Sequence, residues 1–139
     1  MERIKAVILA AGKGTRMKSE LPKVVHEALG KPMVIYSIEA AQGAGAALSD
    51  ICLVVGHGAD QVKEVVGNTV HYVMQEQQLG TGHAVKCASD FIGTDGVTMV
   101  LCGDTPLIKG DTLKKLVDTH KAEGNAITVL TALIADPTG

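Results

Sequence analysis

Residues 4–17 have the sequence IKAVILAAGKGTRM, in which an apolar run leads directly into a glycine-rich, basic loop. The run is continuous apart from Lys5, which is typical of a strand buried on both faces of a parallel sheet. The small residues of the loop let its backbone approach a ligand, and consecutive N–H groups can hold phosphate oxygens. Lys13 and Arg16 add two cations. The stretch predicts a strand and a phosphate-binding loop; the alternative is a glycine-rich surface turn with solvated cations.

Apolar runs of this kind alternate with helical patterns along the whole chain. The candidate strands are 4–10, 51–55, 70–74, 97–101 and 126–133, and the candidate helices are 33–42, 59–66, 81–91 and 111–123. Asp111 or Thr112 could cap the last helix, and Gly124 would end it. The alternation predicts a three-layer αβα, Rossmann-like, doubly wound and mostly parallel sheet with right-handed crossovers. Ligands of such sheets bind at the carboxyl ends of the strands.

The composition excludes several classes of function. The chain has 139 residues, of which 46% are hydrophobic and 20% charged, as expected for one folded domain. Its net charge of −2 leaves no basic excess for nucleic acid. No apolar run reaches the length of about 18 residues that spans a membrane. Cys52, Cys87 and Cys102 lie in apolar segments, which predicts reduced core thiols in a cytoplasmic protein.

Two familiar nucleotide-binding motifs do not fit. The dinucleotide fingerprint needs a glycine where Met17 stands and an acidic residue at the end of the second strand, which argues against a nicotinamide-dependent oxidoreductase. The P-loop motif is absent from the sequence, and so is the Gly-x-Ser-x-Gly elbow of serine hydrolases.

Polar residues follow two of the predicted strands. Asp104 could supply one of the carboxylates that bind Mg²⁺ together with substrate phosphates, or it could cap a turn. Gln75 offers both a donor and an acceptor to a base edge. Gly80 and Thr81 would begin the next helix, whose free N–H groups suit a polar ligand, although this stretch could also be a polar turn with Thr81 as its cap.

The histidines carry weaker signals. His83 and Cys87 are four residues apart on a predicted helix, a spacing that permits metal binding, but no further ligand is apparent. His57 lies between two glycines and indicates a turn.

Three spaced blocks carry a resemblance to a known family. Residues 9–17 (LAAGKGTRM), 21–26 (LPKVVH) and 30–33 (GKPM) resemble the sugar-phosphate nucleotidyltransferases, and among them the bacterial N-acetylglucosamine-1-phosphate uridylyltransferases. Residues 75–84 (QEQQLGTGHA) are similar to the family's uracil-binding segment. Residues 102–108 (CGDTPLI) are similar to its metal-carboxylate turn, with Cys102 where the family has an aromatic residue.

The resemblance implies a reaction and the residues that perform it. UTP and N-acetylglucosamine 1-phosphate would give UDP-N-acetylglucosamine, a cell-envelope precursor, and pyrophosphate. Lys23, Arg16 and Lys13 would be catalytic cations, and Asp104 would bind Mg²⁺. The implied nucleotide-binding residues are Leu9, Ala10, Ala11, Gly12, Gly14, Lys23, Gln75, Gly80, Thr81, Cys102, Gly103 and Asp104.

The resemblance also implies that residues 1–139 form only the nucleotide-binding, amino-terminal part of a uridylyltransferase domain. The second metal ligand, most sugar contacts and a trimer-forming acetyltransferase domain would lie beyond it. We therefore expect this chain to bind a uridine nucleotide weakly, to be inactive, and to self-associate through the edge strand at 126–133 or through exposed helix faces. The alternatives are a nucleotidyltransferase with another base or sugar, and a non-catalytic nucleotide-binding module, which would not need both Lys23 and Asp104.

Overall fold

The strands and helices of the chain form an α/β fold. The structure is a computed structural model that describes residues 2–12, 14 and 17–138. The strands are β1 (Ile4–Ala10), β2 (Glu27–Ala28), β3 (Lys31–Pro32), β4 (Ile51–Val55), β5 (His71–Met74) and β6 (Val97–Cys102). The helices are α1 (Met33–Gly43), α2 (Ala59–Val66), α3 (Thr81–Cys87), α4 (Ser89–Ile92) and α5 (Gly110–Glu123). Short 3-10 turns lie at Lys23–Val25 and Leu48–Asp50.

Four strands form a parallel sheet in the order β5-β4-β1-β6, while β2 and β3 pair separately and antiparallel. Helices cover both faces of the sheet. One core joins β1 to α1, α2 and α5 through Ile8, Val34, Ile38, Val62, Leu113 and Val117. The other joins β1 and β4 to α3 through Val7, Val54, Ala84 and Ala88. The predicted three-layer architecture is confirmed.

The register of the sheet aligns the carboxyl ends of its strands. Ala10 is opposite Val55, which is opposite Met74 on the far side of β4, and Leu9 is opposite Cys102. The loops that leave β1, β4, β5 and β6 therefore start at one edge of the sheet, as the doubly wound fold requires of a ligand site.

The fifth predicted strand does not form. Residues 126–133 are all described, and they are irregular, with Ile127, Val129 and Leu133 largely exposed. A groove of about 710 Å³ is lined by β6, α5 and residues 126–130, and it separates this segment from the sheet. Apolar β-branched residues favour a strand only where another strand pairs with it, so β6 is the edge of the sheet in the described part of the chain.

Helix boundaries differ from the predicted ones where caps were assigned. The predicted helix 81–91 is two helices, α3 and α4, that meet at Ala88. Gly80 rather than Thr81 precedes α3, and Lys109 rather than Asp111 or Thr112 precedes α5, neither with a capping side chain. Gly124 ends α5 in a left-handed conformation, as predicted. Among the described residues, none of the helices combines the length and the apolar character required to cross a bilayer.

The cysteines correct a second prediction. All three are free, but only Cys52 is buried, while Cys87 is half-buried and Cys102 is exposed. Cys102 ends the edge strand β6, which has a neighbouring strand on one side only.

Candidate nucleotide-binding site

The predicted site residues converge on the carboxyl edge of the sheet. Leu9 and Ala10 end β1, Gln75 follows β5, and Gly103 follows β6. The Gly103 N–H donates to the carbonyl of Leu9 at 2.9 Å, which fixes the turn after β6 against β1. Lys13 and Arg16, the two cations predicted for the loop after β1, lie outside the described residues.

Lys23 and Asp104 form an ion pair, with Nζ and Oδ2 2.8 Å apart. Their side chains are 43% and 33% exposed, respectively. Lys23 begins a 3-10 turn whose next two residues, Val24 and Val25, are buried in the core and so fix the position of the turn. We call this pair the charge end of the site.

Gly14 of the glycine-rich loop packs against the stem of Lys23. Gly14 has φ +59°, and a Cβ there would lie 2.7 Å from the Cβ of Lys23. A second glycine makes room for Pro22, the residue before Lys23. Gly58 has φ +72°, and a Cβ there would lie 2.1 Å from the Pro22 Cγ. Gly58 belongs to the turn between β4 and α2 that His57 was predicted to mark.

Asp104 is not used to cap its own turn. The hydroxyls of Thr105 and of the buried Ser37 on α1 both donate to the carbonyl of Cys102, at 2.9 and 3.0 Å. Among the described residues, the recorded partner of the Asp104 carboxylate is Lys23. The carboxylate is therefore free to exchange this cation for another, which favours the ligand-binding alternative over the capping one.

The donor set suits a magnesium ion that is also held by a substrate. The described residues contain no group of three or more His, Cys, Asp or Glu side chains that could hold a metal alone. Mg²⁺ takes hard oxygen ligands, usually one or two carboxylates plus phosphates and water. Asp104 fits as one such ligand.

Cys102 contributes its backbone rather than its thiol to this turn. Desolvation around the sulfur and, secondarily, the charge of Asp104 raise the pKa of the Cys102 thiol. The thiol is thus protonated at neutral pH and is a poor nucleophile or metal ligand.

Gln75 is the centre of a second cluster. Its side chain is 3% exposed, and its Nε2 lies 3.2 Å from the Gly80 carbonyl oxygen and 2.9 Å from His83 Nδ1. Gln78 Nε2 donates to the Ala11 carbonyl at 2.9 Å, which ties the loop after β5 to the loop after β1. We call Gln75, Gln78, Gly80 and His83 the base end. A pocket of about 580 Å³ lies beside it, lined by Gly56, His57, Met74, Gln75, Glu76 and Gln78.

Two of these residues were missed from the sequence. Gln78 stands within a polar run at the end of a strand, which is the signal that could have found it. His83 was considered only as a metal ligand; its position in the first turn of α3, where it faces back to Gln75, depends on the tertiary fold. Thr81, a predicted binding residue, is exposed at the start of α3.

Comparisons with known proteins give the family of the chain. The MobA-like NTP transferase domain family matches residues 6–134. The chain belongs to this family. Over all 139 residues it is 54% identical to the bifunctional protein GlmU of Caldanaerobacter subterraneus subsp. tengcongensis. It spans 30% of the length of that relative. The resemblance found in the sequence blocks is thus confirmed.

Solved structures of other proteins share the fold. A UDP-glucose pyrophosphorylase from Acinetobacter baumannii superposes with a TM-score of 0.73 at 24% identity, over 89% of this chain and 54% of its own. The Mycobacterium tuberculosis protein Rv0371c, in complex with manganese, gives 0.65 at 21% identity, over 86% of this chain and 60% of its own. At these identities the likeness concerns the fold alone.

Proposed function

We propose that the chain is the nucleotide-binding part of a sugar-phosphate nucleotidyltransferase that converts UTP and N-acetylglucosamine 1-phosphate into UDP-N-acetylglucosamine and pyrophosphate. The observation that carries the proposal is the Lys23–Asp104 ion pair beside a glycine-rich loop at the carboxyl edge of the sheet. The choice of base and sugar rests on the resemblance of the sequence blocks to the N-acetylglucosamine-1-phosphate uridylyltransferases, and similarity to the bifunctional GlmU proteins supports a nucleotidyltransferase. The reduced cysteines suit the cytoplasm.

Lys23 acts on the charge that builds up during transfer. An oxygen of the sugar phosphate attacks the α-phosphate of UTP in line, the new P–O bond forms, and the bond to the pyrophosphate breaks. Such reactions need positioning and neutralisation more than covalent help from the protein. The Lys23 ammonium supplies a point charge for the phosphate oxygens. Lys13 and Arg16 are proposed to hold the departing phosphates.

Asp104 is proposed to hold Mg²⁺ together with the phosphates. The ion, when bound, neutralises phosphate charge and orients the reacting groups. Asp104 already bears the counter-charge of Lys23. Lys23 is therefore next to the site where the nucleotide's phosphates would arrive and can turn from the carboxylate to them.

The remaining nucleotide contacts are assigned to the loop after β1 and to the base end. Leu9, Ala10, Ala11, Gly12 and Gly14 offer backbone groups and little bulk along the nucleotide. Gln75 and Gly80 bind the base. Thr81, Cys102 and Gly103 complete the proposed set, the last two through the turn that β1 holds.

The chain itself is proposed to bind UTP weakly without turning it over. One carboxylate positions a metal poorly by itself, and the described residues contain no group of three or more His, Cys, Asp or Glu side chains that could hold a metal. The domain boundary, the trimer and the acetyltransferase activity implied by the resemblance remain predictions about a longer protein.

Calorimetric titration with UTP, followed by a pyrophosphate-release assay with N-acetylglucosamine 1-phosphate and Mg²⁺, tests this proposal. We expect measurable binding and no release, while a protein extended through the full domain releases pyrophosphate. A matched control is the Lys114→Ala variant, which removes an exposed ion pair on α5 far from the site. No binding of any nucleoside triphosphate would refute the proposed function, and release by the 139-residue chain would refute the assigned division of the site.

A further inference from the structure

His83 is the side chain that contacts the Gln75 amide within the base end. An amide nitrogen only donates, so the 2.9 Å contact makes His83 Nδ1 the acceptor. A neutral imidazole that accepts at Nδ1 carries its proton on Nε2, which lies 3.9 Å from Cys87 Sγ. Neither ring nitrogen then offers a free lone pair, which removes the His83–Cys87 metal pair suggested by the sequence spacing.

The two contacts of the Gln75 side-chain nitrogen, Nε2, fix which way the Gln75 amide points. Its two hydrogens serve the Gly80 carbonyl and His83 Nδ1. If the amide turned over, Oε1 would meet the Gly80 carbonyl, and two acceptors would face each other in a buried position. Oε1 is left without a hydrogen-bond partner among the described residues, and Gln75 lines the pocket.

We propose that His83 is a specificity-determining positioning residue, which holds Gln75 as a hydrogen-bond acceptor and so selects a pyrimidine with an imide N–H over one with a bare ring nitrogen. This inference rests on the proposed function, since it assumes that a nucleotide base binds beside Gln75.

The hydrogen-bonding groups of the bases determine which nucleotide is favoured. Uracil and thymine carry a hydrogen on N3 and can donate to Oε1, whereas N3 of cytosine is itself an acceptor. A freely rotating glutamine would satisfy either base by turning over its amide. A glutamine whose nitrogen is already committed to His83 and Gly80 satisfies only the donor, because the wrong base leaves buried acceptors unpaired.

The test compares affinities of four variants for UTP and CTP, measured by calorimetry on the 139-residue chain. His83→Leu removes the acceptor at Nδ1, and we expect the UTP preference over CTP to fall on the order of tenfold. In His83→Asn the side-chain oxygen can take the place of Nδ1, and the preference should largely return. Gln75→Ala should lower the preference to a similar extent as His83→Leu, and Lys86→Ala, an exposed change on the same helix, should leave it intact.

The outcomes separate the inference from the proposed function. If His83→Leu keeps the wild-type UTP preference while Gln75→Ala loses it, His83 does not position the amide and the inference fails alone. If the unmutated chain binds UTP and CTP equally, the inference fails together with the assignment of the base. A merely structural role would weaken both nucleotides equally in His83→Leu and would show no rescue by asparagine.

A measurement on the unmutated protein guards against variants that fail to fold. Long-range ¹H–¹⁵N correlation spectra distinguish the two neutral tautomers of an imidazole. We expect the Nε2-protonated form of His83 at neutral pH. A predominant Nδ1-protonated form would overturn the proposal, because that nitrogen could no longer accept from Gln75.

Discussion

The base end and the charge end of the candidate site are built from opposite kinds of interaction. At the base end the 3% exposed Gln75 is held by neutral hydrogen bonds to Gly80 and His83. At the charge end Lys23 and Asp104 meet in one ion pair, and both side chains are open to solvent at 43% and 33%.

The difference assigns each end a task. A buried neutral hydrogen bond is directional, and leaving a partner unpaired costs about 1–3 kcal/mol, so the base end suits discrimination. An exposed ion pair contributes only about 0–1 kcal/mol to stability, so its partners exchange easily. The charge end is therefore suited to give up its internal contact to phosphates and a metal ion. The variants below test whether the two tasks are separable.

Lys23→Ala has the largest expected effect. In a protein that contains the full uridylyltransferase domain, the loss of charge stabilisation should lower turnover on the order of 10²-fold or more. The free energy of unfolding should change by no more than about 1 kcal/mol, because the ion pair is exposed. Steady-state kinetics and urea unfolding measure the two effects, with Lys114→Ala as the matched control. Normal turnover of the Lys23→Ala variant would show that Lys23 takes no part in the mechanism.

Asp104→Asn should act on the metal rather than on the nucleotide. The amide keeps the shape of the side chain but not its charge, so we expect a lower rate and a magnesium requirement raised on the order of tenfold. UTP binding without metal should weaken less. The measurement is the magnesium titration of the rate, compared with Asp118→Asn on α5. A magnesium titration that superposes on that of the wild type would show that Asp104 is not a metal ligand and serves only as the ion-pair partner of Lys23.

Gln75→Ala should change selectivity among bases and leave the charge end untouched. We expect the ratio of UTP to CTP affinity to fall roughly tenfold, whereas the salt dependence of UTP binding stays as in the wild type. Lys23→Ala should show the converse, a weaker salt dependence with an unchanged ratio. Titrations of both nucleotides at two ionic strengths provide the data, and Gln77→Ala, an exposed neighbour, is the control. If each variant altered both quantities, the two ends would not be separable.

Self-association offers a test at β6, the edge strand beside which the predicted fifth strand is missing. The unpaired edge of β6 and the exposed Ile127 and Val129 invite pairing with a second copy. We expect a concentration-dependent dimer in sedimentation equilibrium, weakened severalfold by Val129→Lys, a charge of the kind that protects natural edges. A monomer at all concentrations would show that the groove beside β6 is sufficiently covered by residues 126–130.

The smallest effect concerns an ion pair far from the site. The buried Lys5 bonds Asp95 at 2.8 Å, and this hydrogen bond, followed by the Lys5 charge, lowers the pKa of Asp95. A lowered folded-state pKa contributes stability above the unfolded value of about 4, which is lost as the pH falls through the folded value. Asp95→Asn should therefore lose a little stability at pH 7 and show a shallower loss below about pH 4. Urea midpoints across that range measure it; an unchanged acid limb would exclude Asp95 as a contributor.

The sequence by itself determined the elements that are buried on both faces. Ile4–Ala10 and Ile51–Val55 form strands with the predicted bounds because their continuous apolar runs suit only the middle of a covered parallel sheet. The apolar runs also predicted that Gln75 and Asp104 follow the carboxyl ends of strands, and the structure has them there, whereas their part in ligand binding stays a prediction. The spaced motif blocks identified the family, which the matches to related proteins confirm.

Only the tertiary structure decided the edges and the partners. Residues 126–133 have the composition of a strand, but a strand exists only where a neighbour accepts its hydrogen bonds, and composition does not report the neighbour. The contacts of Lys23 with Asp104, of Gln78 with Ala11 and of Gln75 with His83 join residues from separate elements. Their geometry depends on how β1, β5, β6 and α3 pack, because a side chain's type sets what it can bind, whereas the fold sets which atoms lie within 3 Å of it.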